Sequence, residues 1–180
     1  LGGGHGAYAV AADLADQGQE VRLWRRDRDA FAPVRDSGEI TLTDAKGSRA
    51  VRLALASDDI GEVVSGAELI VISSPAFAQD DIARAMAPHI SAGQVVFLPP
   101  GSFGSYTIAR DVHAVNPVDN LAFAETGTLP YLARKHGPAE VAIAARATGL
   151  PTGVFPGRLT DRAVPIISCG YPAVERIGDA

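Results

Sequence analysis

Gly2-Gly3-Gly4-His5-Gly6-Ala7 stands at the start of the chain, twelve residues with helical patterning follow, and Glu20-Val21-Arg22-Leu23-Trp24 then reads as a strand. That order decides the fold, because a glycine turn leading into a helix and then a strand is how a parallel α/β unit binds a diphosphate. The spacing fits G-x-G-x-x-A, with Gly2, Gly4 and Ala7 at the fingerprint positions. Gly2 permits the tight turn, Gly4 lets the backbone approach a pyrophosphate, and Ala7 lets the helix pack closely. Ala7, Val10, Ala11 and Leu14 recur at i, i+3, i+4 and i+7, so one narrow apolar stripe is expected to face a sheet. Gly18 suits a left-handed cap at the end of this helix. The first-turn N–H groups have no intrahelical acceptor, and the positive end of the dipole lies with them, where an anion is favoured. His5 and Gly6 lie within the same turn and join the candidate contacts. An ordinary glycine-rich connection between strand and helix is the other reading of these residues. Only Leu1 precedes the turn, so the strand expected to feed it is represented by a single residue.

The composition, with 47% hydrophobic and 21% charged side chains, is that of a compact soluble domain, and 180 residues suit a single one. No apolar run approaches the roughly 18 residues of a membrane span. A net charge of −5 argues against nucleic acid, which needs a concentrated basic face. Nothing resembles a secretion signal, so a cytoplasmic setting is the default, and the lone Cys169 in Ile166-Ile167-Ser168-Cys169 reads as a buried structural thiol. A second copy of the chain is a candidate partner.

Short apolar segments alternate with helical ones further along, the pattern of a Rossmann-like, doubly wound and mainly parallel sheet. Asp27 to Arg35 reads as a short helix interrupted near Pro33. Glu39–Thr43 and Ala50–Leu55 read as strands around the polar turn Asp44-Ala45-Lys46-Gly47, and Asp58 and Asp59 as caps of a brief helix through Val64. Glu68–Ser73 has the continuous apolar centre of a strand covered on both faces, and Gln94–Leu98 repeats it. The first ends at Ser73-Ser74-Pro75 and the second at Pro99-Pro100-Gly101. Ligands of such folds bind at the carboxyl ends of the strands, which makes Ser74, Pro75, Pro100 and Gly101 candidate cofactor contacts. Proline and glycine also simply end strands.

About 20 residues past the glycines, NAD-binding chains usually carry an acidic residue for the ribose 2′-hydroxyl. Here Arg25 and Arg26 stand there, with Arg28 close behind. A guanidinium offers a fork to a phosphate and no acceptor to a hydroxyl, so NADP(H) is the expected cofactor, with NAD(H) as the alternative. In the alternative, Asp27 holds the ribose and the arginines are solvated.

Ala124-Glu125-Thr126-Gly127-Thr128-Leu129-Pro130-Tyr131-Leu132-Ala133-Arg134 resembles an A-E-T-x-T-L-P-Y-x-x-R stretch of the opine dehydrogenase family. The glycine turn with Asp13-Leu14, Val21–Trp24, Phe97–Gly101 and Val154-Phe155-Pro156 match that family as well. The resemblance implies an enzyme that reductively condenses the amine of an amino acid with a 2-oxo acid, with NADH or NADPH as reductant. It also implies that residues 1–165 form the cofactor domain and that 166–180 lead toward a helical C-terminal domain carrying the catalytic groups. His5, His89, His113 and His136 match no catalytic position of the family, so no catalytic residue is assigned. His89, His113 and His136 read as loop residues without metal-ligand spacing, and no metal is expected. Gln79 stands where relatives often have histidine. Glu125, Thr126 and Arg134 are candidate substrate contacts. Arg134 suits a carboxylate clamp, although an arginine in such a loop is often in a structural ion pair. A glycerol-3-phosphate or ketopantoate type of dehydrogenase, or a non-catalytic dinucleotide-binding module, are the competing functions.

Overall fold

The computed structural model describes residues 1–177. The chain forms two compact units. One comprises Leu1–Val63 and Tyr131–Arg146, the other Val64–Pro130 and the described residues from Ala147 on.

In the first unit, α1 (His5–Asp16) is followed by β1 (Arg22–Trp24), α2 (Arg28–Ser37), the hairpin β2 (Glu39–Asp44) and β3 (Gly47–Arg52), and β4 (Leu55–Ser57). β8 (Tyr131–Gly137) and β9 (Glu140–Arg146) return to this unit later in the chain. β1 and β4 pair in parallel, and the second sheet runs β3-β2-β9-β8, with β2 and β9 parallel. α1 packs against β8, β9, β2 and β3. Every residue from Ala7 to Leu14 is therefore buried, Asp13 included, and the single apolar stripe expected from the sequence is replaced by a helix covered nearly all round. The helix starts earlier than its pattern, at His5, and Gly18 takes φ +86 just beyond its end.

α2 runs through Pro33 rather than breaking there. A proline φ is helical, only one intrahelical bond is forgone, and the fully buried Phe31 and Val34 hold the helix in place. Asp27 caps it by accepting the Ala30 N–H, and Gly38 ends it in the left-handed region at φ 69. The expected strand Ala50–Leu55 is divided: β3 begins at Gly47, across a two-residue turn from β2, and β4 pairs with β1 instead.

Asp13, Asp16 and Asp44 interleave with Arg146 and Arg49 where α1 meets the four-stranded sheet. Arg146 donates to Asp13 at 2.8 and 2.5 Å and to Asp44 at 2.7 Å. Arg49 donates to Asp44 at 2.9 Å and to Asp16 at 2.6 Å, while the Tyr131 hydroxyl donates to Asp13 at 3.0 Å. The Arg49 hydrogen bonds hold the Asp44 carboxyl far below the usual carboxylate range, with Arg146 adding to the effect and burial opposing it. Asp16 is also lowered, chiefly by Arg49.

The second unit holds β5 (Leu69–Val71), α4 (Ala76–Met86), β6 (Val95–Leu98), α5 (Gly104–Val115), β7 (Ala122–Thr126), β10 (Leu150–Phe155), α6 (Thr160–Ser168) and β11 (Val174–Arg176). A brief α3 (Ile60–Val64) straddles the boundary between the units in sequence. The sheet order is β11-β10-β7-β6-β5, parallel except between β7 and β10. Val95, Val96, Phe97 and Leu98 are wholly buried, as a strand covered on both faces requires. Residue 166 falls inside α6, and Val174–Arg176 add an edge strand, while 178–180 lie outside the described residues.

Four placements differ from those the sequence suggests. His113 lies in α5, His136 in β8 and His89 in a 3₁₀ turn, not in loops. Cys169 is exposed rather than buried, because α6 buries Thr160, Ala163 and Ile167 and the cysteine caps its end, its thiol donating to the Pro165 carbonyl at 3.4 Å. No helix among the described residues is long and apolar enough to cross a membrane.

Candidate functional site

The glycine turn lies in the first unit, beside β1. The Gly2 N–H donates to the Trp24 carbonyl at 3.0 Å, and Gly2 takes φ 125, a conformation open to glycine and strained for other residues. Gly4 is the N-cap of α1, exposed, with extended φ −84 and ψ −176 and no side-chain cap. A Cβ on Gly4 would meet no protein atom within 4 Å. Packing within the chain therefore does not explain that glycine. Gly3 differs, since a Cβ there would fall 2.6 Å from Cδ and Nε of Arg25, which lies across the turn. Ala7 is buried, in keeping with close packing, and Gly6 is half-buried in the first turn of α1.

His5 accepts the Lys135 backbone N–H at Nδ1, 2.9 Å away. That bond assigns the ring proton to Nε2, leaving a donor at the exposed start of the helix.

Past β1, the two arginines are in different situations. Arg25 is half-buried, donates to the Ala30 carbonyl at 3.1 Å and to the Tyr8 hydroxyl at 3.4 Å, and lies 3.5 Å from Asp27. Arg26 is exposed, and Arg28 pairs with Asp58. Asp27 has one carboxylate oxygen on the Ala30 N–H and the other toward Arg25. The residue that would have served a ribose hydroxyl is thus engaged in capping α2.

In the second unit, β5, β6 and β7 are parallel neighbours, so their carboxyl ends share one edge. Ser74, Pro75, Pro100, Gly101, Glu125 and Thr126 all gather there, as the sequence suggests for the two turns. Pro75 is exposed and N-caps α4, Ser74 and Pro100 are half-buried, and Gly101 is buried. A Cβ on Gly101 would overlap the Glu125 side chain, so that glycine answers to internal packing. Glu125 accepts the Phe103 N–H at 3.0 Å and the Ser105 N–H at 2.9 Å. It thereby caps α5 from a neighbouring strand, where Phe103 sits left-handed at φ 68 and offers no cap of its own. This task was not expected of Glu125, and it fixes the turn after β6. Thr126 is 1% exposed and donates its hydroxyl to the Thr128 carbonyl at 2.7 Å, which takes it off the surface a substrate can touch. Gln79 is buried against Gly104, where a Cβ would collide with its amide.

Arg134 is exposed on β8 and pairs with no carboxylate among the described residues. The structural ion pair that competes with a clamp role is absent there. Its neighbour Lys135, which sequence reasoning passed over, points the other way, with Nζ 3.4 Å from the centroid of the buried Tyr8 ring. The alternation of β8 was the available signal.

A glycine turn at a helix start in one unit and a mostly parallel sheet between helices in the other are the marks of a Rossmann-like α/β protein. A family model for the N-terminus of NAD-dependent glycerol-3-phosphate dehydrogenase matches residues 1–99, and the chain belongs to that family. It is 30% identical over 178 residues to an opine dehydrogenase of Arthrobacter sp. (strain 1C), covering 99% of this chain and 47% of that protein. The resemblance to opine dehydrogenases is thus borne out. The structure of octopine dehydrogenase in complex with NADH and agmatine superposes with a TM-score of 0.81 at 21% identity, over 97% of this chain and 47% of that one. NADP⁺-bound yersinopine dehydrogenase gives 0.76 at 13% identity, over 99% and 46%. The fold class expected from the sequence holds, and the chain spans about half the length of the curated relatives it matches.

Proposed function

We propose that this chain is the cofactor-binding part of an NADP(H)-preferring oxidoreductase that reductively condenses the amine of an amino acid with a 2-oxo acid. The observation that carries the reading is Gly4: it heads α1, lies open to solvent, and has room for a Cβ that nothing in the protein forbids. A dinucleotide diphosphate seated on the helix N-terminus explains why the position is kept bare. The alignment with an opine dehydrogenase over 178 residues supports this class.

The residues present fit such a cofactor. Gly2, Gly4, Gly6 and Ala7 shape the turn, His5 offers its Nε2–H, and Arg25, with Arg26 beside it, supplies positive charge where the adenosine ribose is recognised. Ser74, Pro75, Pro100 and Gly101 are assigned to the nicotinamide end. Glu125 acts as a positioning residue, holding the Pro100-Gly101 turn through α5, and Arg134 is the candidate carboxylate clamp for substrate. The bound cofactor would supply the hydride, while these side chains bind, orient and shield. Groups that move protons on the substrate are assigned to a helical substrate domain, as the family resemblance implies.

A dehydrogenase acting on glycerol 3-phosphate is the second reading, favoured by the family model over residues 1–99. Assays of the intact enzyme with paired amino and oxo acids, against dihydroxyacetone phosphate, separate the two. The cofactor site itself is tested by Gly4→Thr, since threonine caps a helix about as well as glycine does. NADPH and NADH affinity should fall at least tenfold, with the melting temperature unchanged. Unaltered binding of both would remove the glycine turn from the site.

A further inference from the structure

Two cations converge on one aromatic ring in the first unit. The Lys135 ammonium sits 3.4 Å over the centroid of Tyr8, and Arg25 donates to the hydroxyl of the same ring at 3.4 Å. Both lie at the start of α1: Arg25 crosses Gly3, and the Lys135 backbone binds His5. Among the described residues, the carboxylate paired with Arg25 is Asp27, 3.5 Å away and already capping α2. Lys135 has no carboxylate partner among the described residues; apart from the ring its ammonium reaches only the Pro138 carbonyl, at 3.5 Å. Two like charges held together beside the positive end of a helix dipole repel, and an anion bound between them would relieve that repulsion. Burial, and then the Arg25 charge, lower the Lys135 pKa to about 8, a displacement that a bound dianion would reverse.

We propose that Lys135, with Arg25, is the ligand of the 2′-phosphate of NADP(H), reaching it from β8 across the face of Tyr8. The inference rests on the NADP(H) preference proposed above and deepens it, because it moves the second phosphate-binding cation from Arg26, exposed past the end of β1, to a residue more than a hundred positions away in sequence. Three features favour the 2′-phosphate over another anion. Arg25 directly follows β1, where the ribose is read in this class of fold. The Tyr8 ring fixes the ammonium without consuming its hydrogen-bond donors. The guanidinium is held by the Ala30 carbonyl, so the pair is preorganised for a compact phosphate dianion.

The test uses 2′,5′-ADP and 5′-AMP, which differ only in the 2′-phosphate, titrated calorimetrically into the intact protein and into Lys135→Met, Lys135→Gln and Lys135→Arg. The unaltered protein should bind 2′,5′-ADP at least tenfold more tightly than 5′-AMP. Lys135→Met and Lys135→Gln should each lose at least tenfold for 2′,5′-ADP and less than twofold for 5′-AMP, and Lys135→Arg should retain most of the difference. Equal losses for both nucleotides would assign Lys135 to the phosphate they share and overturn the proposal, as would no loss at all. If the unaltered protein binds both nucleotides alike, the NADP(H) preference falls with it. If it discriminates and the Lys135 variants do so equally well, only the Lys135 assignment falls.

Discussion

Replacing Asp13 by alanine should loosen the first unit by about 3 kcal/mol. The carboxylate is nearly buried, its side chain 6% exposed, and it accepts four hydrogen bonds: two from Arg146, one from Tyr131 and one from Gln17. Breaking a buried ion pair by deleting one partner costs about 3–5 kcal/mol, because the other charge stays behind uncompensated. Arg146 is 39% exposed, and water and Asp44 can take up part of its charge, so the lower end of that range applies. The Tyr131 hydroxyl, on a residue 7% exposed, loses its acceptor as well. Urea unfolding followed by the fluorescence of Trp24, the one tryptophan, reports on this unit directly. Tyr131 and Arg146 bracket β8 and β9, so the same variant should weaken cofactor binding through Lys135 without touching a cofactor contact. In the double variant with Arg146→Met the two losses should fall short of additivity by at least about 1 kcal/mol. A loss below about 1 kcal/mol for Asp13→Ala, or strict additivity, would refute the view that this pair clasps the sheet to α1.

Acid should unfasten the same network. Asp44 and Asp16 titrate below the ordinary value of 3.8 in the folded chain, so the unfolded chain takes up their protons first as pH falls. Their contribution is complete above about pH 5 and is lost as pH drops through the folded-state values. Urea midpoints at pH 7 and pH 3.5 should show the decline, and Asp44→Asn should be less stable at pH 7 yet lose less between the two. A midpoint unaffected by acid would contradict the depressed carboxyls. Arg134→Ala, by contrast, should leave stability within about 0.5 kcal/mol, since the side chain is exposed and unpaired among the described residues. In the intact enzyme it should raise KM for the acidic substrate severalfold, and an unchanged KM would take Arg134 out of the site.

The glycine turn was legible because its residues act locally: Gly2 takes a positive φ and Gly4 heads the helix as its N-cap, and both positions are visible in spacing alone. The strands around Ile70 and Phe97 were legible for a similar reason, as burial on both faces leaves a continuous apolar run. What escaped was long-range. Ala9 and Ala12 lie outside the expected stripe, yet they are fully buried in a helix that packs against β8 and β9, more than a hundred residues later, as well as β2 and β3. Asp13 stands out in the sequence only beside Leu14 in the family match, and its partners Tyr131 and Arg146 are 118 and 133 positions away. Glu125 reads as a substrate residue by its motif, and its occupation as the cap of α5 depends on parallel pairing that no local pattern encodes. Cys169 was misjudged because its apolar neighbours Ile166 and Ile167 end the helix whose buried face it leaves.

β8 explains why adjacent cations can serve different chemistry. Its pairing with β9 is regular from Ala133 to Lys135, so successive side chains there must project to opposite faces. Lys135 turns toward α1, over Tyr8, and Arg134 turns to the exposed face. A one-residue slip of β8 would exchange them, placing a guanidinium against the Tyr8 ring and the ammonium in solvent. The Tyr131 hydroxyl on Asp13 fixes one end of the strand and the Lys135 N–H on His5 fixes the middle, so the register is held at two points on the same helix. Register therefore ties the two proposed roles together while leaving them separable by substitution. Loss of the Arg134 side chain should alter acidic-substrate affinity at constant preference for the 2′-phosphate, and loss of the Lys135 amine should do the reverse. A variant at either position that changed both would mean that the two side chains share one anion, and that β8 offers a single site where its alternation argues for two.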